Sequence, residues 1–191
     1  MNYKTDLKRL GSFTITGQMR VSDPCYKPEV WCSGVLNAEP GVWEAAVMVL
    51  DNEDTGGWGR RIAVLAAKHK GCSVSLTTDT INETSDYLKF SPKSEWKIAD
   101  FETGVDSGQA GFYDDNNFVA RNGGEDDNWY DKMCNITLSK AKAGVFVDGV
   151  VTSSGYGDGG YPCIYHIGID GKVDFAYVVF IGDDECGEED Y

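Results

Sequence analysis

The sequence predicts a mainly-β protein, an antiparallel sandwich or partly closed barrel carrying one short helix. Three observations lead there. Apolar and β-branched runs of strand length recur along the chain. Its 23 glycines against five prolines mark tight turns between these runs rather than stiff linkers. Two late Asp-Gly pairs are each flanked by strand-like residues, the mark of a hairpin.

In chain order, residues 13–21 alternate β-branched and polar side chains and read as a strand. Residues 42–50 (VWEAAVMVL) and 61–67 (RIAVLAA) are nearly continuous apolar runs, too short for confident helices and suited to buried strands. Residues 73–78 alternate Ser or Thr with Val and Leu and read as a further strand. A short helix is expected from an N-cap at Asp126 or Asp127 to about Cys134, with Trp129, Met133 and Tyr130 as the candidates to face inward. Residues 144–147 and 150–153 flank Asp148-Gly149, and residues 164–169 and 172–181 flank Asp170-Gly171. Asp-Gly supplies the positive φ angles of a type I′ turn, so the two hairpins read as one meander over 144–181. With no repeat and no internal linker, residues 1–182 form one domain, followed by a solvated acidic tail over 183–191 (DDECGEEDY).

The 17 basic and 31 acidic side chains give a net charge of −14, of which the tail holds six carboxylates, leaving −8 on residues 1–182. Hydrophobic residues at 41% are enough for a buried core and too many for disorder. The acidic balance excludes a sequence-independent nucleic-acid binder, whose affinity comes from Lys and Arg neutralising phosphates, and opposes docking on anionic lipid. The first 18 residues hold no apolar stretch of signal-peptide length, and no run of about 18 apolar residues occurs. A cytoplasmic protein is expected, with its six cysteines reduced. No C-x-x-C is present and the only histidines are His69 and His166, so a structural zinc site would need ligands from distant segments, and no metal or cofactor is expected.

Three segments are unusual for connecting loops: SDPCY (22–26), VDSGQAGFYDD (105–115) and SSGYGDGGYPCIY (153–165). Each joins an Asp to Gly or Pro, a hydroxyl or thiol, and an aromatic ring. The candidate ligand-binding residues are Asp23, Cys25, Asp106, Ser107, Gln109, Tyr156, Asp158 and Tyr161. Asp106 and Gln109 would fix a polar ligand, with Gly108 and Gly111 allowing close approach, while the tyrosines offer stacking faces. The competing reading is turn chemistry: Asp106-Ser107-Gly108 as a turn, and the third segment as a wide hairpin connection. A small hydrolase or transferase would use Cys25 as nucleophile, His69 or His166 as base and Asp106 or Asp158 as orienter, or else the Asp106/Asp158 carboxylate pair. A scaffold domain whose loops only pack is the third possibility.

Other templates fail. Asp51 to Gly56 starts like a calcium loop but places Ile62 where a bidentate Glu is required. GYGDGG has the wrong last glycine spacing for a dinucleotide fingerprint and enters a strand. No G-x-S-x-G or H-E-x-x-H occurs.

The order SDPCY, WCSGVL, GWGRRIAVL, VDSGQAGFYDD and SSGYGDGGYP resembles a group of bacterial and phage proteins that share a domain of unknown function, over about residues 21–180. The resemblance implies a bacterial or phage intracellular setting and brings no catalytic residue. The functional expectation is therefore a non-catalytic binding protein that engages a basic protein partner or a small polar ligand through the Asp106 and Asp158 loops. Whether Asp106, Asp114, Asp115 and Asp158 share one acidic face is the open question about its charge.

Overall fold

A computed structural model describes residues 5, 7–85, 95–122 and 128–182. The chain begins with β1 (Leu7–Ile15) and β2 (Gln18–Ser22), followed by β3 (Gly34–Asn37), β4 (Gly41–Leu50), β5 (Arg61–His69) and helix α1 (Thr78–Thr84). Its middle holds β6 (Trp96–Val105), β7 (Gln109–Asp114), α2 (Asp115–Asn122) and α3 (Trp129–Thr137). Two hairpins end it, β8 (Ala143–Phe146) with β9 (Gly149–Ser153) and β10 (Gly159–Ile167) with β11 (Val173–Val179). The strands form two antiparallel sheets, ordered β1-β4-β5-β11-β10-β6 and β3-β2-β7-β9-β8. β1 lies on β8 and β9, β5 on β9, and β2 and β3 on β6, so the sheets stack as a sandwich and no barrel closes.

The apolar runs of β4 and β5 are buried from Ala45 to Leu50 and from Ile62 to Ala67, with no exposed face. The second sheet covers one side of the six-stranded sheet. The segment after β5 covers the other, through buried Cys72, Leu76 and Ile81, and the Tyr177 hydroxyl of β11 reaches Thr84 Oγ1 at 2.9 Å. This corrects the strand expected over residues 73–78. Only its last residue lies in regular structure, as the start of α1, because the Thr77 hydroxyl accepts from the Thr80 N–H as an N-cap while Leu76 turns inward.

The strand expected over residues 13–21 is two strands in different sheets. Gly17, at φ +136°, lets the chain cross from β1 to β2, and Asp114 Oδ2 pins the corner by accepting from Thr16 N and Oγ1, each at 2.6 Å. The expected meander is divided in the same way: both hairpins form, but β8–β9 belongs to the five-stranded sheet and β10–β11 to the six-stranded one. Residues 154–158 carry the chain between them. In the first hairpin Phe146 pairs with Gly149, leaving Val147 and Asp148 in the turn, and neither has a positive φ. Gly149 serves packing instead, since a Cβ there would come within 2.6 Å of the Phe112 carbonyl oxygen. In the second hairpin Gly171 does take a positive φ, +82°, closing a turn from Gly168.

Among the described residues three helices stand where a single one is expected. α3 is the predicted helix, with Trp129 and Met133 buried; Tyr130 is exposed rather than inward, only its hydroxyl reaching back toward Gln109. Its N-cap position is Asn128, and Asp126 and Asp127 lie outside the described residues, as does the 183–191 tail. α2 was hidden behind DDNN: Asp114 Oδ1 caps it by accepting from Asn117 N. The five described cysteines are free thiols, and no helix among the described residues is long and apolar enough to cross a membrane.

Candidate functional site

Topology brings the three unusual segments together. Residues 105–109 and 153–159 are both crossings from one sheet to the other. They run side by side, because Val105 pairs with Gly159 where β6 meets β10 and Gln109 pairs with Ser153 where β7 meets β9. The SDPCY segment leaves β2 beside β7, where Ser22 pairs with Gly111. All three therefore meet at one end of the sandwich, the location where loops on a rigid scaffold commonly carry function.

Asp23 ties them. Its carboxylate is fully buried and accepts four hydrogen bonds: at Oδ1 from Cys25 N (2.8 Å) and Ser107 Oγ (2.7 Å), and at Oδ2 from Asp106 N (2.9 Å) and Ser107 N (2.7 Å). Asp158 Oδ1 accepts from Gly108 N at 3.2 Å, and Gly108 O accepts from Ser154 N at 3.0 Å, which joins the two crossings directly. Residues 23–33 are braced twice more. Buried Arg20, paired with Asp115 at 2.6 Å, donates to Pro28 O and Ser33 Oγ, and Gly104 N donates to Cys32 O at 2.8 Å.

The candidate residues thus separate by role. Asp23 and Ser107 organise the loops. Gln109 is buried and faces α3: its Oε1 accepts from Thr137 Oγ1 at 3.0 Å, and its Nε2 points to Tyr130 Oη and Cys134 Sγ, each at 3.5 Å. The Tyr161 hydroxyl donates to Gly157 O at 2.7 Å and its ring packs edge-on against Phe180, closing the 154–158 loop. Gly111 leaves no room for a ligand, because the Tyr113 ring folds over it. What remains at the surface is Cys25, Asp106, Asp158 and Tyr156. The Tyr156 ring meets exposed Trp58 at a centroid distance of 6.5 Å, with the Arg61 guanidinium 6.0 Å from its centre. Sequence reading missed Trp58, which lies in a glycine-flanked turn and is 70% exposed, a rare state for tryptophan. The four-aspartate acidic face does not form: Asp114 is buried under Thr16 and α2, Asp115 is held by Arg20, and only Asp106 and Asp158 are displayed.

The thiol-hydrolase constellation is not assembled. Partial burial of the sulfur, its hydrogen bond to Asp23 and the negative charges of Asp23 and Asp106 outweigh the Ser107 hydrogen bond and push the Cys25 thiol up to about 12. Both histidines are engaged elsewhere. His69 Nδ1 accepts from Gly71 N and its ring packs on Trp43, while His166 lies between Asp174 and Glu95. Although Cys25 is exposed, iodoacetamide at pH 8 should label it about 50-fold more slowly than a free-cysteine reference, the lost thiolate outweighing the gain in nucleophilicity. Labelling at the reference rate, located by peptide mass spectrometry, would refute this. Asp106 and Asp158 share one end of the sandwich and both stand exposed, with no enclosed cleft formed between them among the described residues.

A second constellation lies at the far end of β10. Cys72, His166 and Asp174 offer ligand atoms that all fall within 4.8 Å of one another. A sequence signal for two of them was partial: the predicted hairpin puts His166 and Asp174 on adjacent strands, but His166 pairs with Phe175 and Ile167 with Val173, so only the irregular register brings Asp174 to the imidazole. Cys72, more than 90 residues away in sequence, carried none.

Compared with known proteins, the chain matches no family model, no curated protein and no solved structure.

Proposed function

We propose that this is a non-catalytic binding protein of a bacterial or phage cytoplasm, and that it takes a cationic segment of a protein partner on the loop end of the sandwich. One observation carries the reading. Asp106 and Asp158 are exposed, stand outside any ion pair among the described residues, and sit on adjacent crossings, the first held by Asp23 and joined to the second through Gly108. Less conformational entropy is therefore lost in ordering these loops at the moment of binding. The rings of Tyr156 and Trp58 beside them supply faces for Lys or Arg side chains, as Arg61 already uses one. The net charge of −14 would draw a basic partner from a distance and speed encounter.

The test is fluorescence anisotropy with labelled peptides of equal length, one Lys/Arg-rich, one Asp/Glu-rich and one neutral. Only the cationic peptide is expected to bind, more weakly at high salt, and Asp106→Asn combined with Asp158→Asn should lower its affinity about tenfold. Asn at 158 keeps an acceptor for Gly108 N, so the fold should be unchanged by circular dichroism. Equal binding of all three peptides, or undiminished binding by the double variant, would overturn the proposal.

A further inference from the structure

We propose that Cys72, His166 and Asp174 form a binding site for a divalent transition metal of the zinc class. The site is independent of the loop end: Asp158 and His166 are separated by the length of β10, about 25 Å at the usual rise per residue.

Each ligand is placed by an identifiable backbone device. His166 stands one residue before the end of β10, its ring buried against Trp96 at a centroid distance of 5.1 Å. Asp174 belongs to β11, where the register steps from His166 opposite Phe175 to Ile167 opposite Val173. Asp174 is the additional residue of that bulge, and bulges re-aim side chains beside functional sites. Here the bulge turns the carboxylate toward the imidazole, with Oδ1 2.6 Å from His166 Nδ1. Cys72 lies three residues beyond β5, buried, with its N–H donating to His69 O at 3.0 Å. Burial, with the adjacent Asp174 carboxylate, pushes the Cys72 thiol up to about 11 against the opposing hydrogen bond from Val74 N–H, so an ion bound here must displace the thiol proton.

The donor set selects the ion. One sulfur, one imidazole nitrogen and one carboxylate oxygen suit zinc and its relatives, whereas magnesium and calcium take oxygen ligands. With Zn–S near 2.3 Å and Zn–N and Zn–O near 2.0–2.2 Å, tetrahedral donors stand about 3.3–3.6 Å apart. Donors within 4.8 Å of one another reach that spacing by side-chain adjustment, the 2.6 Å pair opening and the wider pairs closing. The other imidazole nitrogen, Nε2, lies 3.2 Å from Glu95 Oε2, the outer carboxylate that orients a ligating histidine. The ion would offset the charges of the thiolate and the carboxylate. Three protein ligands leave a fourth position for water. Asp174 also lines a cleft of about 280 Å³ with Glu39, His69, Gly71 and Asp170, which gives an ion a route from solvent.

The test uses the whole protein, stripped with a chelator, desalted and titrated with Co²⁺ and then Zn²⁺. One equivalent of Co²⁺ should produce a thiolate-to-metal charge-transfer band together with the visible bands of a four-coordinate ion, both removed by Zn²⁺. Cys72→Ser should abolish the charge-transfer band. Asp174→Asn, at the rim of the cleft, should lower Zn²⁺ affinity at least about tenfold, and Zn²⁺ should raise the unfolding temperature of the unmodified protein. If Cys72→Ser fails to fold, the spectrum of the unmodified protein and the Asp174→Asn affinity decide. A Co²⁺ complex without a thiolate band, or Zn²⁺ binding unchanged by Asp174→Asn, would assign the metal to surface carboxylates and overturn the site.

Discussion

Replacing Asp23 with alanine is expected to cost about 3–5 kcal/mol and to loosen three loops at once. The carboxylate is buried and accepts from Cys25 N, Asp106 N, Ser107 N and Ser107 Oγ. Hydrogen bonds to an ionised acceptor contribute about 1.5–3 kcal/mol each and are not additive, and three of these donors are main-chain N–H groups that lose their partner. Asp23→Asn keeps the shape but turns one acceptor oxygen into a donor, so it should cost about half as much. Urea denaturation measures both, and hydrogen exchange should show the amides of residues 25, 106 and 107 losing protection in the alanine variant. A loss below about 1 kcal/mol would mean that the loops hold themselves. The alanine variant should also weaken cationic-peptide binding, although Asp23 is buried, because Asp106 and Asp158 would no longer be held in place.

Gly111→Ala is expected to be more damaging still, at more than about 4 kcal/mol, or to prevent folding. Gly111 sits in β7 between Ser22 of β2 and Val151 of β9. A Cβ there would lie 2.5 Å from the Tyr113 hydroxyl and closer still to the Val150 carbonyl oxygen. The tyrosine is fully buried and the carbonyl belongs to the β9 backbone, so neither can withdraw cheaply. Gly108→Ala is the contrast. Its φ of +68° disfavours a side chain, but open space surrounds it, and a cost of about 1 kcal/mol is expected. Soluble yield and thermal unfolding of the two variants check the pair, and similar behaviour would contradict the steric argument.

These two glycines show how far the sequence could be read. Both lie in VDSGQAGFYDD, where composition suggests close ligand approach for either, with a turn as the competing reading for Gly108. Turn and packing roles differ only in what surrounds the Cα, which sequence does not encode locally. The aspartates divide in the same manner. Asp23 and Asp114 are buried hubs, while Asp106 and Asp158 face solvent, yet all four belong to the same three Asp-bearing segments that the sequence singles out. Apolar runs were more legible. Residues 42–50 and 61–67 became β4 and β5 with few changes at their ends, since burying such runs leaves little choice. Sheet membership was hidden because a turn within a sheet and a crossing between sheets use the same residues: the Gly171 turn keeps the chain in one sheet, whereas the Gly17 corner and residues 154–158 change it. The convergence of the three loops follows from those crossings.

The strand order of the larger sheet also bears on how the chain reaches its native state. β5 pairs with β11, so Val64 waits for Val179, and the sheet stays in two halves until nearly all of these strands have been synthesised. In the interval the β4–β5 hairpin, whose runs VWEAAVMVL and RIAVLAA are among the most apolar in the chain, has no neighbour along the β5 edge. Distant pairing of this kind slows folding, and an uncovered apolar edge invites pairing with a second nascent chain. Heterologous yield should therefore respond to expression temperature and to chaperone supply more than the final fold's stability alone would suggest.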